Sequence, residues 1–445
     1  MGGHSSGGGP PAERDKGASI EYAAQLSSPL FSGDVRLTIG KHALTITALF
    51  DAVEILYAEM NELILKDYAI TVDSDSGEFV FSMMGRWCQP FYDALSEAYN
   101  KAVLRSLFVK GAPILPVKGD CIYSEGEARW AGEVSVHVYE HFVVSLPGDL
   151  GARRVPLCFV TGMEKGSFIL TLTLDTGETC SYSKLGYDTD IFAEAVERQI
   201  RDIREKTIGH VKELDPALPA IKAGQVAKLM PLGAAASFGQ ISGIAPSFAA
   251  ALESKIMKSR AAEPFGVFKE LCDPGLIYIG FRKNENPRDE HVDSPEGVEV
   301  TEPEGKEDKG EDKGGGTFVP GPDADAASAD PYLLWLVAPS PGGEYAAVEF
   351  AEPNSATFVY RTGGDFEGFA RQLSRALEAI DFKREVIRLS DEELREPGNE
   401  DYYMASKRTA ALIFIRSNFV GRVIHSSVES WRSKLAQLMG TVLVS

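Results

Sequence analysis

The string His137-Val138-Tyr139-Glu140-His141 has residue types and spacing that match a catalytic pattern. Two histidines four positions apart, with a glutamate before the second, fit the H-x-x-E-H arrangement of a zinc peptidase. There a helix turns both imidazoles to one face and the glutamate serves as base. The flanking residues here are β-branched and alternate with a period of two, which predicts strands rather than a helix. His141 is expected opposite Val138 across a two-residue turn, and His137 on the other face, so the imidazoles diverge and no metal site is assigned. His42, in the corresponding place of an earlier segment, lacks the rest of the motif.

Other catalytic patterns are incomplete as well. No G-x-x-x-x-G-K-[ST] loop offers a backbone cradle for nucleotide phosphates, and no G-x-G-x-x-G follows a strand. Gly239-Gln-Ile-Ser242-Gly243 superficially resembles a nucleophile elbow, but its serine is not central between the glycines. His210, His291 and His425 are expected in a helix, an acidic tract and a helix, with no evident Ser or Cys partner. Asp391-Glu392-Glu393 reads as a helix start, where carboxylates favour the dipole. No catalytic, cofactor-binding or metal-ligating residue is therefore assigned, no cofactor is expected, and the chain reads as a non-enzyme.

The elements that would position any site follow from composition and pattern. The chain has 445 residues, is 44% hydrophobic and 25% charged, and carries a formal net charge of −20. Such values suit several globular domains, and the acidity disfavours nucleic acid and anionic lipid as nonspecific partners. Cys88, Cys121, Cys158, Cys180 and Cys272 are scattered singly, which fits small core residues in a reducing cytoplasm. Residues 1–19 are Gly- and Ser-rich and read as a flexible tail; Met1-Gly2 with Ser6 is a weak myristoylation signal. Leu229 to Leu252 carries no charge, yet Pro231 and Pro246 cut it into short pieces. Two small packed helices are expected there rather than a membrane span.

Internal repetition is the strongest signal. Val35, Leu37 and Ile39 precede Gly40-Lys41, then His42, Leu44 and Ile46. Val134, Val136 and Val138 precede Tyr139-Glu140, then His141, Val143 and Ser145, at a constant offset of 99. Both read as hairpins, with Ile39 opposite His42 and Leu37 opposite Leu44 on one face. Arg36, Thr38, Thr45 and Thr47 take the other, solvated face. In the second copy Phe142, Val144 and Leu146 make the strand apolar on both sides, so its outer face is expected to pack on another domain. Ile70, Val72 and Asp73 precede Gly77-Glu78, and Leu172, Leu174 and Asp175 precede Gly177-Glu178. Each copy then ends in an amphipathic helix, one with Trp87, Phe91, Leu95, Ala98 and Ala102, the other with Phe192, Ala195, Val196, Ile200 and Ile203. A weaker third occurrence runs through strands at Leu276–Arg282, Tyr332–Val337, Val348/Phe350 and Phe358/Tyr360, a turn over Ala351 to Ser355, and a helix from Phe366 to Ile380.

Small antiparallel strands closed by one C-terminal helix, with the phrase Tyr68-Ala-Ile-Thr-Val-Asp73, turn, Glu78-Phe-Val-Phe81, helix, resemble tandem pleckstrin-homology-like proteins of prokaryotes. The resemblance implies an α+β chain of tandem units, with protein, peptide or lipid binding rather than catalysis. Lipid-binding members carry Lys and Arg in the loop between the first two strands. The two-residue turns here are too short and too poorly charged to cradle a phosphoinositide.

The expected organisation is a tail at 1–19, unit 1 at 20–106, unit 2 at 112–206 and a helical connector at 207–263. A divergent third unit at 265–383 and a C-terminal helical segment at 384–445 follow. Residues 284–330 hold fifteen Asp or Glu against four Lys or Arg, a net of −11, and read as a disordered acidic insert. The apolar run from Ala410, continuing through Val420, Val423, Ile424, Val428, Trp431, Leu435 and Leu438, reads as helical. The leading functional expectation is a cytoplasmic scaffold that binds a protein or peptide partner through an edge strand or the groove beside a closing helix. A peripheral membrane protein using 229–252 is the alternative, and an enzyme site assembled between units leaves no contiguous motif to find.

Overall fold

Alternating side chains build the first repeat as a one-sided sheet. Its strands are β1 (Glu21–Ser27), β2 (Ser32–Ile39), β3 (Ala43–Thr47), β4 (Ala52–Leu56), β5 (Met60–Lys66), β6 (Ala69–Ser74) and β7 (Gly77–Ser82), with a 3-10 turn at Tyr57–Glu59 between β4 and β5. They pair antiparallel in the order β4-β3-β2-β1-β7-β6-β5, and α1 (Cys88–Ser106) closes the apolar face. Leu37, Leu44, Ile46, Ile70, Val72, Phe79 and Phe81 point inward against Phe91, Leu95, Tyr99 and Ala102 of the helix. Trp87, expected on that stripe, ends a 3-10 turn ahead of the helix and is exposed.

The second repeat copies this plan. Strands β8 (Leu115–Glu125), β9 (Ala128–Val138), β10 (Phe142–Pro147), β11 (Arg153–Pro156), β12 (Val160–Lys165), β13 (Ile169–Leu174) and β14 (Thr179–Ser183) take the order β11-β10-β9-β8-β14-β13-β12. A 3-10 turn at Leu157–Phe159 precedes β12, and α2 (Asp188–Leu214) follows. The computed structural model describes residues 21–109, 111–283, 332–351, 356–425 and 427–440. The expectations for the tail at 1–19, the insert at 284–330 and the turn at 352–355 fall outside them.

The hairpin faces are as expected, but the turns sit one residue later. Ile39 pairs with Leu44 and Leu37 with Ile46, so the turn residues are Lys41-His42, closed by Gly40 N–H donating to the Ala43 carbonyl at 2.9 Å. A Cβ on Gly40 would lie 3.0 Å from that carbonyl oxygen, so glycine suits the closing position. In the second copy Val138 pairs with Val143, and Tyr139 N–H donates to Phe142 at 2.9 Å across Glu140-His141. The register changes by two residues, which preserves the inward set.

The outer face of β10 packs on the first repeat, as its two-sided apolarity required. Phe142 and Val144 are buried in the first repeat's core cluster, with Leu146 half-buried against it. Helix α1 holds the following loop by its carbonyls: Ser96 Oγ donates to Gly148 at 2.8 Å, and Asn100 Nδ2 to Pro147 at 2.9 Å.

Helices α3 (Ala220–Leu229), α4 (Phe238–Ile244), α5 (Pro246–Met257) and α6 (Ala262–Leu271) surround a third sheet. It runs β15 (Ala236–Ser237), β16 (Tyr278–Lys283), β17 (Tyr332–Pro339), β18 (Tyr345–Phe350), β19 (Ala356–Arg361) and β20 (Phe419–Ile424), in sequence order. Residues 419–424, read as helical from spacing, are thus a strand. The chain divides into two compact units, Met1–Lys206 with Glu367–Phe419 and Thr207–Phe366 with Val420–Ser445. The C-terminal helices are α7 (Phe366–Ala379), α8 (Glu385–Arg388), α9 (Asp391–Leu394), α10 (Glu400–Arg408), α11 (Ala410–Ser417) and α12 (Val428–Leu438). Besides α3 to α6, α12 enters the core of the third sheet through Trp431 and Leu435, with Met439 at its end. The helix starting at Phe366 falls in the first unit from Glu367 onward.

Two buried ion pairs of opposite polarity fix α7 to the second repeat. Arg154 of β11 meets Glu378, while Arg375 donates to Glu178 at 2.8 and 3.2 Å and lies 3.4 Å from Asp175. A buried pair broken on one side leaves an uncompensated charge, whereas replacing both sides by apolar groups is often neutral. Arg154→Met should therefore lower stability by about 3 kcal/mol. Arg154→Met combined with Glu378→Leu should recover most of that loss, as measured by the denaturant midpoint of the first unit's transition.

Candidate functional site

The catalytic-looking string lies on a strand and a turn. His137 is on β9, its Nε2 3.1 Å from Ser135 Oγ, while His141 sits in the following turn with Nε2 3.6 Å from the Glu140 carboxylate. His141 therefore does not pair with Val138, because the turn is displaced. His210 lies on α2 and Ser242 within α4, and His291 is outside the described residues. Asp391-Glu392-Glu393 opens α9 under a Ser390 capping box, as its composition implied. His425, expected in a helix, follows β20 directly. Burial pushes the Cys121 thiol up to about 11 and Cys272 up to about 12, which leaves both protonated at neutral pH.

One polar cluster escaped sequence reasoning. In the second unit Thr357 Oγ1 donates to Glu349 Oε2 at 2.6 Å and accepts from Trp431 Nε1 at 2.9 Å. His425 Nε2 lies 3.0 Å from the same hydroxyl and 3.2 Å from the same carboxylate. Hydroxyl and carboxylate share one ring nitrogen, and the hydroxyl proton is already given to the carboxylate. In the relay of a hydroxyl nucleophile the carboxylate sits instead on the ring nitrogen opposite the hydroxyl. The cluster's geometry ties β18, β19, the end of β20 and α12 together.

The first repeat presents a groove and a sheet edge. The first is the groove formed by the 3-10 turn at Tyr57–Glu59, the C-terminal half of α1 and the adjoining hairpin turns. Helix α10 fills it. Tyr403 and Met404 enter the first repeat's core, and Tyr403 Oη donates to Glu59 at 3.1 Å. Asp401 lies 3.3 Å from Arg105 Nε and 3.7 Å from His42 Nδ1. Lys407 Nζ reaches Asp75 at 2.9 Å, and Arg408 donates to the carbonyls of Ala58, at 3.1 Å, and Met60. Burial pushes the Asp75 carboxyl up, but hydrogen bonds from Lys407 and Asn61 outweigh it and hold it below its ordinary value.

The second repeat is built alike at these positions. Asp75 N–H donates to Glu59, and Asp175 N–H to Phe159, each at 3.0 Å. A helix from outside the repeat supplies a cation to each aspartate: Lys407 from α10, Arg375 from α7. At the other end the copies differ. Where Arg105 and His42 gather Asp401 of α10, Lys206 and His141 gather Glu140 of their own turn, at 3.7 and 3.6 Å.

The second surface is the β4 edge. Hydrogen-bonded pairs alternate along an antiparallel ladder, and Ala48 N–H donates to Asp51 at the turn. That alternation turns the backbone groups of Ala52 and Glu54 away from β3. At the adjoining turn Leu49 and Phe50 are 85% and 91% exposed. The sheet face carrying Arg36, Thr47 and Glu54 is solvated, as the alternation predicted.

The stretch 229–252 is committed elsewhere. Met230, Ala236, Ile241, Phe248 and Leu252 are buried in the second unit's core, and no helix among the described residues is long and apolar enough to cross a membrane. No protein-family model and no curated protein matches the chain.

Burial lowers the pKa of His42, with Arg105 adding to the effect, and burial lowers that of His137. The unfolded chain then takes up these protons first as pH falls through the ordinary histidine range near 6.5, so stability is full above that range and declines below it. The melting temperature should fall between about pH 7.5 and 5.5. The decline should be smaller in a His42→Gln/His137→Gln variant, as measured by scanning calorimetry.

Proposed function

We propose that the protein is a non-enzymatic cytoplasmic scaffold built on two pleckstrin-homology-like repeats, and that it takes up an extended segment of a partner protein by strand addition to β4. Seven antiparallel strands followed by one closing helix, repeated with the same strand order, support the pleckstrin-homology-like reading. The observation that carries the binding reading is the β4 edge itself, with outward backbone groups at Ala52 and Glu54 beside the exposed Leu49 and Phe50. Main-chain hydrogen bonds to such an edge supply affinity, and alternate side chains supply specificity. Asp51 and Glu54 favour a partner strand that places Lys or Arg opposite them and an apolar residue against the turn. The net charge of −20 argues against nucleic acid as the partner.

Peptides selected by display against the full chain should alternate apolar and basic residues. Glu54→Pro removes an outward N–H while sparing the ladder to β3. It should weaken the selected peptides about tenfold, and Phe50→Ser should weaken them about fivefold, without a change in melting temperature. Selected peptides indifferent to both substitutions would overturn this reading.

A further inference from the structure

Helix α10 is held to the first repeat by a particular balance of forces. Its deep contacts are Tyr403 and Met404. Around them lie the Tyr403–Glu59 hydrogen bond, the hydrogen bonds from Arg408 to the carbonyls of Ala58 and Met60, and ion pairs at half-exposed positions, Asp401 with Arg105 and Lys407 with Asp75. Ion pairs at such positions add little and weaken with salt. The helix has nine residues, lacks a side-chain cap at Asn399 and follows Gly398, whose φ is 98°. Isolated helices that short are marginal, so α10 depends on its seat. The second repeat assembles the same fold with its own Glu140 in the place of Asp401, so a repeat does not need an external acid there to be complete.

We propose that this groove is a helix-recognition site and that α10 is its exchangeable resident, held in cis until a partner helix of the same pattern displaces it. The pattern is read from the contacts. An acid in the first turn meets Arg105 and His42, an aromatic and a methionine enter the core, and a Lys-Arg pair in the last turn meets Asp75 and the carbonyls of Ala58 and Met60. Acid first and cations last also suit the helix dipole, so a partner helix enters in the orientation of α10. The site is separate from the β4 edge, and the proposal stands whether or not strand addition occurs there.

The test uses the full chain and a labelled peptide of residues 397–411 followed by fluorescence anisotropy. Tyr403→Ala/Met404→Ala empties the resident's anchors and should bind the peptide at least tenfold more tightly than the wild type. Adding Asp75→Arg should return affinity to the wild-type level. A folded double variant that binds no better than the wild type overturns the proposal, as does a gain that survives Asp75→Arg. Should the double variant fail to fold, hydrogen exchange on the wild type decides. Amides of 400–408 should exchange at least tenfold faster than those of 88–106, and equal protection overturns the proposal.

Discussion

Each repeat depends on one constraint: a sheet with a single apolar face must be covered, and one amphipathic helix covers it. In the first repeat Phe91, Leu95, Tyr99 and Ala102 meet that demand on the inner side of α1. The outer side of the same helix is then free for other work. Ser96 and Asn100 are polar enough to bind carbonyls of the second repeat's loop, and Arg105 at its end meets Asp401. One helix thus joins its own sheet, the next repeat and a C-terminal element. Losing its apolar stripe would release all three.

Helices α7 and α10 illustrate two ways of attaching a late segment to an early one. Arg375 and Arg154 form pairs shielded from water, where the energetic cost of separation is large because a stranded charge remains. Lys407 and Asp401 form pairs at half-exposed positions, where water compensates most of the loss. The same aspartate position, Asp75 in one copy and Asp175 in the other, therefore serves attachments of different strength.

Much of this was legible in the sequence. Period-two alternation and a constant offset located both hairpins and assigned their faces, because a face depends on parity alone. The turn position was not legible, since it rests on the close approach of Gly40 to the Ala43 carbonyl. The helix from Phe366 was visible as an amphipathic element, but periodicity does not say which sheet receives it. Arg375 and Glu378 decide that through partners some two hundred positions away. The cluster of Glu349, Thr357, His425 and Trp431 gathers residues from four separate elements and leaves no local signature. Read from the sequence, Asp175 corresponds to Asp73, whereas the shared backbone hydrogen bonds make Asp75 its equivalent, because alternation fixes parity and not a shift of two residues.

The order in which the chain alternates between its units bears on biosynthesis. Residues up to Lys206 belong to one unit, the next stretch to the other, and Glu367–Phe419 return to the first. At ribosomal rates of 5–20 residues per second, roughly ten to thirty seconds separate the emergence of the second repeat from that of α7. Through that interval the nascent chain carries both repeats without their late helices, and the seat of α10 is vacant to any chaperone or partner that meets the polypeptide on the ribosome.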